Sequence, residues 1–310
     1  MFEKTQLSPS YLIKQECPHY PIIQTNMNID SEKGFGDCVA VVTGGASGIA
    51  RSLAFALARE GAKLVIADLQ PEPAEQVAAE LDALGAEAMA VQCDISEADA
   101  VEHLANETIK RFGGINLLCN IAGVTVVDKL HETAPSDIEW LFHVNVFGMC
   151  NTVRCFTPEL QASAKRGEVA HIINASSGFG VAMPSMGPTL PSAYAGTKHA
   201  IVGLSDAMRS ELAEDGIGVS VFCPGLVNTQ TWNSKSFRQD RFGGPVPGTV
   251  DSRARVEAWG QDPDETAAMI VDRVKRGDFY ILPLDETARA TMERAIQERY
   301  KELLEAINRR

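Results

Sequence analysis

The sequence predicts an α/β fold: a doubly wound parallel sheet of about seven strands with helices on both faces. Three observations carry this. Short, β-branched apolar runs alternate strictly with longer segments of helical periodicity from residue 38 to residue 282. The runs are apolar throughout rather than on one face, as in strands covered by helices on each side. Polar and glycine residues suited to a ligand fall at the ends of those runs, and ligands on such sheets bind beyond the carboxyl ends of the strands.

Taken in order, residues 38–42 read as a first buried strand, running through Thr43-Gly44-Gly45-Ala46-Ser47-Gly48-Ile49-Ala50 into a helix that reaches Glu60. A glycine-rich turn there points backbone N–H groups and the positive end of the helix dipole at an anion, and its glycines allow close approach; the bland alternative is an ordinary strand-to-helix turn. A second strand, 63–67, ends at Asp68, about twenty residues beyond the glycines, where a carboxylate meets a ribose 2′-hydroxyl in a Rossmann-type site. Helices are predicted at 71–84 and 97–112. Strands follow at 88–93, closed by Asp94-Ile95, and at 115–120, running into Ile121-Ala122-Gly123. A long helix over 136–162 contains Asn145, and the strand 169–175 closes with Ser176-Ser177-Gly178. A helix over 194–215 opens with Tyr194 and Lys198; the strand 218–223 then turns at Pro224-Gly225. From 229 to 262 the periodicity breaks, with Trp232, Phe237 and Phe242 among glycines and prolines, and this segment reads as a substrate lid. A helix over 263–276, N-capped by Asp262 with Pro263 in its first turn, a strand over 279–282 and an amphipathic helix over 286–308 complete the chain.

The expected organisation is an irregular N-terminal arm, 1–36, and a single catalytic domain, 37–310. The arm carries Pro9, Pro18 and Pro21 but also Tyr11, Ile13 and Ile22, too apolar for a freely solvated tail, which favours an arm docked on the body or on a neighbouring subunit. With 45% hydrophobic and 22% charged residues the chain can bury a full core, and a net charge of -13 argues against nucleic-acid or anionic-membrane partners. The seven cysteines form no C-x-x-C pair and the six histidines show no ligand spacing, so reduced thiols, no metal and a cytoplasmic location are expected. No apolar run reaches membrane-spanning length.

Tyr194 and Lys198 lie four apart on one helix face, where an ammonium favours a phenolate and brings the phenol toward working pH. Such a pair suits proton transfer to or from an alcohol or ketone, although the spacing alone also arises by accident. With Thr43-Gly44-xxx-Gly48-x-Ala50, Asp94, Asn120-Ile121-Ala122-Gly123, Asn145, Ser177 and Pro224-Gly225, it resembles the short-chain dehydrogenase/reductase family in its single-domain, nicotinamide-dependent branch, over about residues 38–283. The resemblance implies a general acid/base at Tyr194, whose pKa Lys198 lowers while holding the nicotinamide ribose. It implies a substrate-oxygen hydrogen bond from Ser177, favoured over Ser176 by the spacing to Gly180, and a water on the proton path supported by Asn145. It further implies cofactor contacts at Gly44, Ser47, Gly48, Ile49, Asp68, Leu69, Asp94, Ile95, Asn120, Ala122, Gly123, Pro224, Gly225, Val227 and Thr229.

Asp68 favours NAD over NADP, since Ser47 and Leu69 stand where NADP-preferring relatives carry a basic residue, and Arg51 reads as a phosphate-side or surface group. Ala50 replaces the usual third glycine with only an added methyl. Phe179, Met183 and Trp232, beside a long Ser177–Tyr194 segment, suggest a bulky apolar or aromatic secondary alcohol or ketone, unless they merely pack the lid. The alternatives are an NADPH-dependent ketone reductase and a non-catalytic cofactor-binding sensor or scaffold. A homodimer or homotetramer through the helices of Asn145 and Tyr194 is implied.

Overall fold

A computed structural model describes residues 34–183, 190–248 and 250–309. Its sheet is built from β1 (Val39–Thr43), β2 (Lys63–Asp68), β3 (Ala88–Gln92), β4 (Leu117–Asn120), β5 (His171–Ala175), β6 (Gly218–Phe222) and β7 (Tyr280–Ile281), in the order β3-β2-β1-β4-β5-β6-β7. Every neighbouring pair is parallel. Parallel neighbours need crossovers, and the helices that supply them cover both faces. They are α1 (Gly48–Arg59), α2 (Pro71–Ala83), α3 (Ala98–Phe112), α4 (Pro135–Phe142), α5 (Gly148–Lys165), α6 (Ser192–Glu211), α7 (Val250–Trp259), α8 (Pro263–Lys275) and α9 (Glu286–Asn308). β1, β5 and β6 are buried at every position, which is why they lack a polar face in sequence.

The strand order reverses between β1 and β4, and the crevice that opens there is the topological switch point where such sheets bind ligands. Thr43, at the end of β1, ties the two strands together. Its hydroxyl accepts from the amides of Ile121 and Ala122 at 3.0 and 3.1 Å and donates to the Cys119 carbonyl at 3.3 Å.

Two expectations are corrected by the fold. The helix expected over 136–162 is interrupted by a π-helical turn, His143–Phe147, between α4 and α5. Such turns insert a residue into the helical ladder and occur at functional sites; this one carries Asn145. The 229–262 segment is more regular than its composition suggests: it holds 3₁₀ turns at Gln230–Phe237 and Asp240–Phe242, and then α7. The expected docking of the N-terminal arm lies outside the described residues, apart from 34–36.

A buried histidine gives the fold a pH limit. The Ser220 hydroxyl donates to the Asp278 carbonyl at 2.7 Å, so it accepts from His171 Nε2–H, 2.9 Å away. His171 Nδ1 then carries no proton, has no partner and faces Gly218, where a Cβ would lie 2.1 Å from it. Burial lowers the His171 pKa from 6.5 to about 3. A folded-state pKa below the unfolded one gives stability that is complete above pH 6.5 and is lost as pH falls toward 3. The expected slope approaches about 1.4 kcal/mol per pH unit. Urea melts between pH 7 and pH 5 check this: His171→Gln should lose that slope, and an unchanged slope would place it elsewhere.

Candidate active site

A cleft of about 230 Å³ lies at the switch point. Gly44 and Gly48 form its floor at φ of +69° and +55°, in the left-handed region that favours glycine. A Cβ at Gly44 would lie 2.9 Å from Ala122 Cα, and one at Gly48 would lie 3.0 Å from Thr229 Cγ2. The backbone therefore comes as near the cleft as a bare chain can, at the N-terminus of α1. That cradle, with a carboxylate one strand further out, fits a dinucleotide's pyrophosphate and ribose.

Of the predicted cofactor contacts, Gly44, Ser47, Gly48, Ile49, Asp68, Leu69, Asp94, Ile95, Ala122, Gly123 and Thr229 line this cleft. Asp68 accepts from the amides of Ala46 and Gln70 at 3.1 and 3.0 Å. Burial raises its pKa, and those backbone hydrogen bonds pull it back. Arg51 pairs with Glu80 and stacks on the Phe55 ring at 4.6 Å, so it is a surface group engaged elsewhere rather than a phosphate ligand.

Besides Tyr194 and Lys198, four predicted contacts stand outside the lining. The Asn120 side chain turns into the core, donating to Asn174 at 2.9 Å and accepting from Thr152 at 2.6 Å, where it fastens β4 to β5 and α5. Pro224 accepts from the Gly178 amide at 2.9 Å, Gly225 backs onto Leu284, and buried Val227 bridges to Gln261.

Behind the cleft the residues predicted to handle the proton come together. Tyr194 and Lys198 stand one turn apart on α6, with the Lys198 Nζ 5.6 Å from the Tyr194 ring centre and donating to the Ala175 carbonyl at 2.9 Å. Gly123 connects the cleft with Asn145 and Lys198: a Cβ there would meet Asn145 Oδ1 and Lys198 Nζ, each at 3.3 Å. The Asn145 side chain accepts from the Val124 amide at 2.8 Å and donates to the Val124 carbonyl at 2.9 Å and Thr197 at 3.0 Å. It locks the strand end beyond β4 to α6. Ser176 donates to the Lys198 carbonyl at 2.8 Å, whereas the Ser177 hydroxyl accepts from the Phe179 amide and lies near enough to the Tyr194 phenol to lower its pKa. Hydrogen bonding thus separates the two serines.

The expected depression of the Tyr194 pKa does not appear among the protein's own groups. Burial pushes the phenol up to about 12, and the Ser177 hydroxyl opposes this only in part. Burial also lowers Lys198 to about 8, so the phenol is neutral at pH 7 while the ammonium keeps most of its charge. Cys223, which nothing in its spacing singled out, sits fully buried beside Lys198 with its thiol pushed up to about 12.

The predicted substrate contacts lie apart from the cofactor cleft. Phe179, Met183 and Trp232 do not line the cleft. Met183 is exposed at the edge of the described residues, while Trp232 packs on Gly248 and under Arg253 of α7, within the 229–262 segment. The wall behind Ser177 comes instead from α9, whose role the sequence left silent. Met292 packs onto Gly178, and Arg299 donates to the Val181 carbonyl at 2.8 Å and lies 2.7 Å from His199 Nε2. Among the described residues no cluster of three or more His, Cys, Asp or Glu could hold a metal, and no helix is long and apolar enough to cross a membrane.

Known proteins resemble this chain in sequence and fold. The family model described as short chain dehydrogenase matches residues 38–240. The C alpha-dehydrogenase of Sphingobium sp. strain SYK-6 is 31% identical over 259 residues, covering 82% of this chain and 83% of that protein. The L-2,3-butanediol dehydrogenase of Corynebacterium glutamicum is 31% identical over 248 residues, covering 78% and 93%. A crystal structure of a short chain dehydrogenase/reductase from Burkholderia phymatum in complex with NAD superposes with a TM-score of 0.74 at 30% identity, covering 84% of this chain and 93% of that one.

Proposed function

The chain belongs to the short chain dehydrogenase family, and from that premise we propose that it is an NAD-dependent oxidoreductase interconverting a secondary alcohol and a ketone on an apolar substrate. The observation that carries this is the junction at Gly123, where the glycine-floored cleft touches Asn145 and Lys198. A nicotinamide dinucleotide in the cleft supplies hydride acceptance or donation at the alcohol carbon.

The chain's own residues do the rest. Ser177 donates its hydroxyl hydrogen to the substrate oxygen and fixes its position next to Tyr194. Tyr194 takes the hydroxyl proton in oxidation and returns it in reduction. Lys198, held by the Ala175 carbonyl, stabilises the phenolate while that proton is away. Asn145, fixed through Val124 and Thr197, keeps α6 in register with the end of β4 and supports a water on the proton path.

NAD is favoured because Asp68 would repel a 2′-phosphate and the guanidinium of Arg51 is already paired with Glu80. A secondary alcohol is supported by the name of the L-2,3-butanediol dehydrogenase relative, and an apolar substrate by the apolar cluster of Ala182, Leu284 and Met292 behind Ser177. The catalytic unit is a single domain from residue 37 onward. Its buried, protonated thiols fit the reducing cytoplasm. A homodimer or homotetramer is expected through half-exposed Phe147 and the exposed Leu204 of α6; light scattering that gives a monomer would refute it.

The decisive assay follows absorbance at 340 nm with NAD and with NADP across secondary alcohols from small aliphatic to aryl. Turnover with NAD on the bulkier members is expected. Measurable NADH binding without turnover of any alcohol or ketone would overturn the reading.

A further inference from the structure

We infer that Gln239 and Arg241 set the affinity of the dinucleotide by competing with its adenine ring for Asp94. This rests on the nucleotide reading of the cleft. The sheet order places the glycine floor at β1, the ribose carboxylate Asp68 at β2 and Asp94 just beyond β3, so a dinucleotide running outward from Gly123 brings its adenine to Asp94. Adenine offers an exocyclic amine, a donor that an acceptor-only carboxylate recognises.

The acceptor capacity of Asp94 is full. A carboxylate has about four lone-pair sites. Oδ1 accepts from the amide, at 3.0 Å, and the hydroxyl of Ser96; Oδ2 accepts from Gln239 Nε2 at 2.9 Å and Arg241 at 3.3 Å. The two Ser96 bonds are local to the turn. The two others come from a strap over residues 235–242, which lines the cleft with Phe237 and Gln239, and they are the ones an adenine amine must replace.

The strap is fastened on both sides. Asp137, buried on α4, holds Lys235 at 2.7 Å and pairs with Arg238, itself only 8% exposed. The Gln239 amide oxygen accepts from Trp140 Nε1 at 2.9 Å, which aims its nitrogen at Asp94. Arg241 also reaches Ser96 Oγ at 2.7 Å and pairs with Glu97, and buried Phe242 packs 5.3 Å from the His143 ring. Asp94 is thus a latch for the strap, and adenine binds there only as Gln239 and Arg241 let go.

The test is fluorescence titration and stopped-flow binding of NADH and of reduced nicotinamide mononucleotide, which lacks adenine. It compares the full chain with a Gln239→Ala/Arg241→Ala variant and with Gln239→Glu, which keeps the side-chain volume but sets like charges against each other. Both variants should bind NADH about tenfold more tightly and faster, the worth of one exchanged hydrogen bond, with the mononucleotide unchanged. Weaker NADH binding would mean that the strap clamps the cofactor rather than competing with it, and equal binding that the latch is immaterial; either overturns the inference alone. NADH binding to none of the three proteins would instead remove the cofactor reading and this inference with it.

Discussion

Tyr194→Phe is expected to lower kcat by roughly 10²- to 10⁴-fold, the range for removal of a general acid/base, with little change in NADH affinity or thermal stability. The ring packs against the main core and remains in the variant; only the hydroxyl that meets Ser177 is lost. The pH profile should separate this proton transfer from a packing effect. With the phenol pushed up to about 12, Tyr194 is a neutral acid at pH 7, ready to protonate a ketone oxygen, so reduction is expected to be efficient there. Oxidation needs the phenolate, and its rate should climb as pH rises from 7. The climb should flatten as Lys198, lowered to about 8, loses the charge that stabilises the phenolate. The residual rate of the variant should show no such climb. Retention of more than about a tenth of kcat, or an unchanged pH profile, would remove Tyr194 from this role.

What the sequence made legible was whatever is written in local pattern. Apolar runs such as Val39–Thr43 and Gly218–Phe222 are buried on both faces and show it in every residue, so the sheet and most of its helices could be read directly. The glycine floor was legible because its positive φ and close backbone approach admit few other residues. Features set by contacts between distant segments were not. The π turn at Asn145 has no sequence mark, because its widened ladder is stabilised by a bond from Asn145 to Thr197 on another helix. The packing of Trp232 under Arg253 was not legible either, because an aromatic in an irregular segment fits a pocket as well as it fits α7. Asn120 matched a cofactor motif, yet its partners Asn174 and Thr152 are visible only in three dimensions. The Tyr194–Lys198 spacing correctly put both on one face, but the balance between charge and burial depends on how deeply α6 is covered, and burial wins.

Asp68→Asn should produce the second large effect, a reversal or loss of cofactor preference. The substitution removes the charge but leaves a side-chain oxygen able to accept from Ala46 or Gln70, so the glycine turn keeps part of its support. Asp68→Ala would strip both amides of their acceptor and confound turn geometry with recognition. A hydrogen bond to a charged acceptor contributes about 1.5–3 kcal/mol, so NADH affinity should fall roughly 10- to 100-fold. NADPH affinity should rise, because its 2′-phosphate no longer faces a carboxylate. The gain stays limited while Arg51 remains paired with Glu80, and adding Glu80→Gln should release that guanidinium and extend it. Fluorescence titrations of NADH and NADPH against the wild type and both variants check each step. Tighter binding of NADPH than NADH by the wild type, or equal affinities in Asp68→Asn and the wild type, would show that the carboxylate holds the glycine turn through Ala46 and does not select the nucleotide.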